Sequence, residues 1–311
     1  MQWRREERLV DTVGKGNAMS GTERLPAGST VLVGLVGRGI QKSRSPAMHE
    51  AEGTAQGLDY VYRLFDTELM PPQMTLDEIL RCAEISDFAG LNITYPAKVE
   101  IIAHLDDLSE AARMVGAVNT VVFRDGKRRG HNTDLWGFAE SFRRNMGDVA
   151  RDNVLLIGAG GAGAAVAHAL CDCRAGTLWI ADADADRAGA LARKVCDSHG
   201  AGTAYPVENI ADAAALSDGL VNATPVGMAH MPGMPIAQEL IRPEMWVADI
   251  IYFPLETELL RTARNRGCRT LSGAGMAVFQ AVRAFELFTG LKPDVARMEA
   301  AFRALDHTAP D

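Results

Sequence analysis

Apolar residues in this chain come in short unbroken runs that alternate with stretches of helical period. The first run, Val31-Leu32-Val33-Gly34-Leu35-Val36, predicts a buried strand ending at Gly37-Arg38-Gly39. A helix should follow, capped by Ser45, carrying Pro46 in its first turn and running to about Gln56 before Gly57. Next come a strand around 60–65, a helix within 75–85 and a strand over 89–94. This β-α-β-α-β alternation predicts a first region built on a parallel sheet. Pro96 suits the first turn of another helix, and two short helices lead to a strand over 117–123. Asp125-Gly126-Lys127 is a hairpin signal, returning the chain to Asn132-Thr133-Asp134.

A helix from Leu135 to about Met146 then crosses to a second series of apolar runs: 154–157, 177–181, 219–224, 246–252 and 268–271. Helical periodicity closes the chain over 275–287 and 293–305. Residues 1–28 carry charge, glycine and serine without apolar period and read as a flexible tail.

One run ends differently from the rest. Val154-Leu155-Leu156-Ile157 stops at Gly158-Ala159-Gly160-Gly161-Ala162-Gly163, and Gly158, Gly160 and Gly163 have the G-x-G-x-x-G spacing of a dinucleotide-binding turn. Such a turn needs glycine for the tight bend, for close approach of a pyrophosphate and for packing of helix on strand. Asp182 ends the next strand, where an acid that binds ribose is expected. Glycine is common here, 30 of 311 residues, so this context carries more weight than the spacing alone.

Composition narrows the classes. With 47% apolar and 23% charged residues the chain reads as globular, and 311 residues suffice for two domains. A net charge of −8 without a basic stripe argues against nucleic acid. No membrane-length apolar run or secretory segment is visible, so a cytoplasmic location is expected. The five cysteines are scattered, which fits reduced thiols and no metal site.

Polar residues gather where apolar strands end: Asn92 and Thr94, Asn119 and Thr120, Asn132, Thr133 and Asp134. In α/β sheets ligands bind at such ends, and a set of amides and hydroxyls suits a polyhydroxylated ligand. Each one alone also fits local turn chemistry. Lys98 and Asp134 form the sharpest pair, since a lysine beside a carboxylate can give a proton to the alkoxide left by hydride transfer.

At these residues the chain resembles the shikimate/quinate dehydrogenase family. Ser43-Arg44-Ser45-Pro46-Ala47-Met48-His49 is similar to its carboxylate-binding motif, and Asn92-Ile93-Thr94-Tyr95-Pro96-Ala97-Lys98 to the motif with the catalytic lysine. Blocks at 116–120, 130–134, 222–225 and 273–280 continue the resemblance, the second ending in the catalytic aspartate. It implies an α/β substrate domain (29–133, completed by helices from 274–311), a doubly wound Rossmann domain (134–273) and an active site in the cleft between them. It further implies that Ser43 and Ser45 hold a carboxylate, that Asn92, Asn119, Asp134 and Gln280 hold hydroxyls, and that Thr94 and Tyr252 line the pocket. Lys98 beside Asp134 would be the acid/base group. Gly158–Gly163, Asp182, Asp184, Asn222, Thr224, Gly275 and Met276 would hold the nucleotide, with the nicotinamide near Met276 and a turn at Gly275.

Two departures refine this. Members using NADP commonly have Asn-Arg-Thr where this chain has Asp182-Ala183-Asp184; losing the arginine and gaining two carboxylates favours NAD. Asp184 could cap the next helix while Asp182 bonds the ribose. Members favouring quinate often have threonine at position 45, so Ser45 points towards shikimate. NAD in turn leans towards oxidation and a catabolic role. Two other readings stay open: a family enzyme for another cyclic polyol acid such as an amino-shikimate, and a non-catalytic dinucleotide sensor of the same fold. Monomer and homo-oligomer are both allowed.

Overall fold

The computed structural model describes residues 28–305. The expected tail, apart from Gly28, lies outside the described residues. Two six-stranded sheets, each covered by helices, divide the chain.

The first sheet holds β1 (Thr30–Gly37), β2 (Asp59–Asp66), β3 (Phe88–Ile93), β4 (Asp107–Leu108), β5 (Thr120–Arg124) and β6 (Lys127–His131) in the order β2-β1-β3-β5-β6-β4. Its β2-β1-β3 half is parallel, connected through α1 (Ser45–Ala55) and α2 (Leu76–Ile85). α2 starts with a full capping box: the Thr75 hydroxyl accepts from the Glu78 amide while Glu78 accepts from the Thr75 amide. The sheet as a whole is mixed, correcting the parallel expectation, because β5 runs antiparallel to both β3 and β6. A parallel return needs a long crossover helix. The chain between β3 and β5 has only turns, a 3-10 helix (Glu100–His104), β4 and the six-residue α3 (Glu110–Val115). The hairpin expected at Asp125-Gly126 forms, with φ of 54° and 68°.

Two other local expectations change. Pro96 lies in a run of turns and does not open a helix; the Ala97 amide bonds back to the Thr94 carbonyl at 3.0 Å. Arg44, not Ser45, is the cap position of α1, and Ser45 is its first helical residue. The Ser45 amide bonds to Ser43 Oγ, and its hydroxyl is turned towards Tyr62 instead of back onto the helix.

The second sheet is parallel throughout, in the order β12-β11-β10-β7-β8-β9. Its strands are β7 (Asn153–Ile157), β8 (Thr177–Ala181), β9 (Ala204–Pro206), β10 (Gly219–Asn222), β11 (Trp246–Asp249) and β12 (Arg269–Leu271). Winding starts from the central β7 in both directions, and the crevice between β7 and β10 is the switch point where such sheets take ligands. α4 (Thr133–Met146) precedes this sheet; α5 (Gly161–Asp172), α6 (Ala185–His199), α7 (Ile210–Leu216) and α8 (Glu258–Asn265) lie between its strands.

α9 (Ala274–Thr289) and α10 (Val295–Ala304) return to the first half: Val278, Ala281, Phe285 and Phe302 share a core with Val31, Val33 and Tyr60. α4 faces the other way, with Phe138 and Phe142 in a core with Val154, Leu156 and Trp246. The two helices cross at Gly137, where a Cβ would come within 2.9 Å of the Met276 carbonyl oxygen and 2.8 Å of the Gln280 nitrogen. Gly275 lies inside the first turn of α9 against Ser141, so the turn expected there is helix. This close crossing ties both halves together beside Asp134, on the first turn of α4.

Candidate active site

Asp134 owes its position to Asn132, whose side chain caps α4 by accepting from the Leu135 amide and donates to the Ala117 carbonyl. The carboxylate is only 9% exposed and meets Lys98 Nζ at 2.6 Å. Lys98 comes from the turns after β3 and is held through its own carbonyl, which accepts from the Val118 amide. Thirty-six residues apart in the chain, the two charged groups form one pair.

Around them lies a buried polar net. Asn92 Oδ1 accepts from the Tyr62 hydroxyl at 2.9 Å, and its Nδ2 donates to Thr120 Oγ1 at 3.0 Å and to the Asn119 carbonyl at 3.4 Å. Asn119 Oδ1 accepts from the Thr133 amide at 2.7 Å, and its Nδ2 donates to Thr133 Oγ1. Asn92 and Asn119 are 5% and 3% exposed, so these bonds compensate their desolvation. Tyr252, from the loop after β11, is 40% exposed and reaches this region from the other half, near enough for Lys98, Asp134 and Arg44 to act on its phenol. Ser43 and Ser45 sit at the start of α1, Ser45 beside Tyr62. Thr94 follows β3, its methyl against Gly37, and Gln280 lies on α9 next to the Gly137 crossing, its amide nitrogen on the Ala277 carbonyl.

Arg44 stands between the two serines in the chain. Its guanidinium lies 4.6 Å from the Phe302 ring centre and donates to the Phe302 carbonyl. His49 is fully buried behind the site with Nδ1 on the Tyr60 hydroxyl, and burial lowers its pKa to about 3, so its ring stays neutral.

The glycine turn separates into three roles. Gly158 has φ +107° and packs on Ala223 and Thr224; a Cβ on Gly163 would lie 1.9 Å from the Gly158 oxygen. Nothing lies within 4 Å of a Cβ built on Gly160. Packing therefore demands glycine at 158 and 163, whereas the bare position at 160, capping the twelve-residue α5, is open to an incoming group. The first amides of α5, at Gly161, Ala162 and Gly163, have no partner within the helix and suit a pyrophosphate. Asp182 follows β8 and receives the Ala159 amide at 2.7 Å and the Asp184 amide at 2.9 Å, which aims its carboxylate at the turn. Asp184 caps α6 and pairs with Arg187. These residues fit a dinucleotide.

Asn222 and Thr224 act within their own loop. Asn222 is wholly buried; its Oδ1 accepts from Thr224, and its Nδ2 donates to the Val226 carbonyl and to Asp249. Sequence reasoning overlooked Asp249, which also accepts from Thr257 and from the Ile251 amide, next to Tyr252. Burial raises its pKa. A carboxylate ending an apolar strand was the available signal.

A family model for the shikimate dehydrogenase substrate binding domain matches residues 35–121, one for shikimate / quinate 5-dehydrogenase matches 140–231, and one for the shikimate 5'-dehydrogenase C-terminal domain matches 273–301. A shikimate dehydrogenase (NADP(+)) from Streptomyces avermitilis is 51% identical over 89% of this chain and 97% of its own. The chain belongs to the shikimate/quinate dehydrogenase family. Another relative, a quinate/shikimate dehydrogenase (NAD(+)) from Corynebacterium efficiens, is 46% identical over 89% of this chain and 99% of its own. Quinate dehydrogenase from Corynebacterium glutamicum, solved in complex with NAD, superimposes with a TM-score of 0.85 at 45% identity, covering 89% of this chain and 99% of the other. As a shikimate/quinate dehydrogenase family member the protein is an oxidoreductase that works with a pyridine nucleotide. Among the described residues no helix is long and apolar enough to cross a membrane.

Proposed function

We propose that the protein catalyses NAD-dependent, reversible oxidation of a ring hydroxyl of shikimate, and of quinate more slowly, to the 3-dehydro ketone. The observation that carries this reading is the 2.6 Å pairing of Lys98 with Asp134 inside a pocket of amides and hydroxyls. Nicotinamide, when bound, supplies the hydride acceptor in oxidation and the donor in reduction. Lys98 takes the hydroxyl proton as the ketone forms and returns it in the reverse direction. Asp134 holds the amine in place and stabilises its charged form. Ser43 and Ser45 grip the carboxylate, while Asn92, Asn119, Asp134 and Gln280 bind hydroxyls against Thr94 and Tyr252. Residues 29–133 with 274–305 form the substrate domain and 134–273 the nucleotide domain, with the reaction in the cleft between them.

NAD is preferred because the Asp182 carboxylate suits two ribose hydroxyls and, with Asp184, repels a 2′-phosphate. Relatives of similar identity carry names with either cofactor, so the decisive experiment is a steady-state comparison of shikimate and quinate with NAD and NADP. The expected result is the highest kcat/KM for shikimate with NAD. Equal use of both cofactors contradicts the assignment of Asp182, and turnover of neither acid contradicts the substrate.

A further inference from the structure

The hydrogen bonds of Asn222 are all taken up inside the protein. Its Oδ1 accepts from the Thr224 amide at 3.0 Å and the Thr224 hydroxyl at 2.7 Å; its two Nδ2 hydrogens go to the Val226 carbonyl at 3.0 Å and to Asp249 Oδ1 at 3.1 Å. The side chain therefore shapes the loop after β10, and that loop packs against the glycine turn: a Cβ on Gly158 would lie 2.7 Å from the Ala223 carbonyl oxygen. Asp249, 1% exposed at the end of β11, extends the chain of bonds. The oxygen that meets Asn222 also accepts from the Ile251 amide at 3.0 Å, and the other oxygen accepts from the Thr257 hydroxyl at 2.8 Å. Ile251 and Thr257 flank the segment that carries Tyr252, so one carboxylate clasps that loop at its base and ties it to the loop after β10. The two loops also touch at Gly227, where a Cβ would come within 3.1 Å of Ile251 Cδ1. Beyond the clasp, Tyr252 and Phe253 are 40% and 43% exposed.

We propose that Asp249 is a positioning residue that couples nucleotide binding to acid binding. A nucleotide on the glycine turn fixes the loop after β10. Through Asn222 and the shared Asp249 oxygen, that in turn fixes the base of the Tyr252 loop. Tyr252 then stands in place for the acid, within electrostatic reach of Lys98 and Asp134. The cost of ordering this loop falls on whichever ligand binds first, so the second binds more tightly. By linkage each ligand raises the affinity of the other by the same factor. Asp249 acts through Asn222 and Tyr252, with its own oxygens turned to protein donors. This inference deepens the shikimate/quinate reading and rests on it.

The test is titration of the enzyme with shikimate, once free and once saturated with NADH; both ligands are reduced, so this pair cannot react. Shikimate should bind about five- to tenfold more tightly with NADH present, and NADH should gain the same factor from shikimate. Asp249→Ala opens the clasp and should bring that ratio to within about twofold of one. Asn222→Ala cuts the same link from the nucleotide side, and should lose the ratio too, which keeps the test available where Asp249→Ala does not fold. Asp249→Asn keeps an oxygen for Asn222 and Ile251 and offers its NH2 to the Thr257 hydroxyl, which can accept it; most of the ratio should survive. A residue that only stabilised the fold would lower Tm and weaken both ligands while leaving the ratio intact. The proposal is overturned if the wild-type ratio lies within about twofold of one, or if Asp249→Ala or Asn222→Ala keeps the wild-type ratio. An enzyme that binds shikimate in neither state overturns the substrate reading and this inference with it, whereas equal binding in both states overturns the coupling alone.

Discussion

The two halves of the molecule build their ligand sites from different materials. The second half uses backbone: a glycine turn, the open end of α5 and a parallel sheet whose winding order leaves a crevice. The first half uses side chains delivered by separate elements: Ser43 and Ser45 before and within α1, Asn92 on β3, Lys98 on a turn and Asp134 on α4. A backbone site depends on local conformation, so its requirements stay within a few residues of sequence. A side-chain site depends on how distant elements meet. The largest effect is accordingly expected in the first half. Lys98→Ala should lower kcat by about 10²–10⁴-fold while NAD affinity stays near wild type, the range typical of a lost proton-transfer group. Pre-steady-state rates together with cofactor titration check this, and a variant as fast as the wild type removes Lys98 from the chemistry.

The second half can be broken in two separable ways. Gly163→Ala puts a methyl 1.9 Å from the Gly158 oxygen, so strand and helix must part; the expected cost is about 1–3 kcal/mol or more, read as a lower Tm. Gly160→Ala meets no neighbour within 4 Å, and its φ of −76° is one that alanine adopts readily. Its Tm should hold or rise slightly while the KM for NAD rises severalfold, because the methyl fills the space left for the phosphates. If both variants lose the same stability, or Gly160→Ala binds NAD normally, the division of glycines between fold and ligand is wrong.

This difference in materials explains what was legible. The glycine spacing, the strand ending at Asp182 and the β-α alternation of the second half were readable because each is a local pattern with one dominant conformation. In the first half the β1-α1-β2-α2-β3 stretch was readable for the same reason. The turn at Pro96 was not, since proline suits both a helix start and a tight turn. Nor was the antiparallel placement of β5, which the length of the intervening helix decides rather than the pattern of β5 itself. The resemblance named most of the pocket residues, yet neither it nor periodicity disclosed that Asn222 and Thr224 satisfy one another, or that Tyr62 and Asp249 stand behind the site. The Tyr62–Asn92 and Asn222–Asp249 bonds link separate strands, which no single stretch of sequence contains, whereas the Asn222–Thr224 bonds lie within one loop.

The cofactor assignment gives an intermediate effect. Asp182 already accepts the Ala159 and Asp184 amides, one on each oxygen, so its remaining lone pairs are aimed and not free to rotate. Asp182→Ala should therefore cut kcat/KM with NAD about tenfold and change that with NADP little or favourably, since a repelling charge disappears. Kinetics with the two cofactors at fixed shikimate read the ratio. An unchanged ratio shifts discrimination to Asp184 and Arg187, which pair at 3.3 Å on the neighbouring turn.

The smallest effect tests the substrate half at its finest detail. Ser45 lies at the first position of α1 with its hydroxyl beside Tyr62, so a threonine there adds one methyl without displacing the helix. One methyl or hydroxyl contact is worth about 1–3 kcal/mol in discrimination at most, and a half-buried position such as this belongs at the low end. Ser45→Thr should move the quinate-to-shikimate ratio of kcat/KM a few-fold towards quinate, mainly through KM. The reason is geometric: the methyl packs against a saturated ring with its extra hydroxyl better than against a flatter unsaturated one. Parallel measurements with both acids at saturating NAD decide it. A shift in kcat instead, with both KM values constant, would mean that Ser45 acts on the alignment of Lys98 with the ring and not on the grip of the carboxylate.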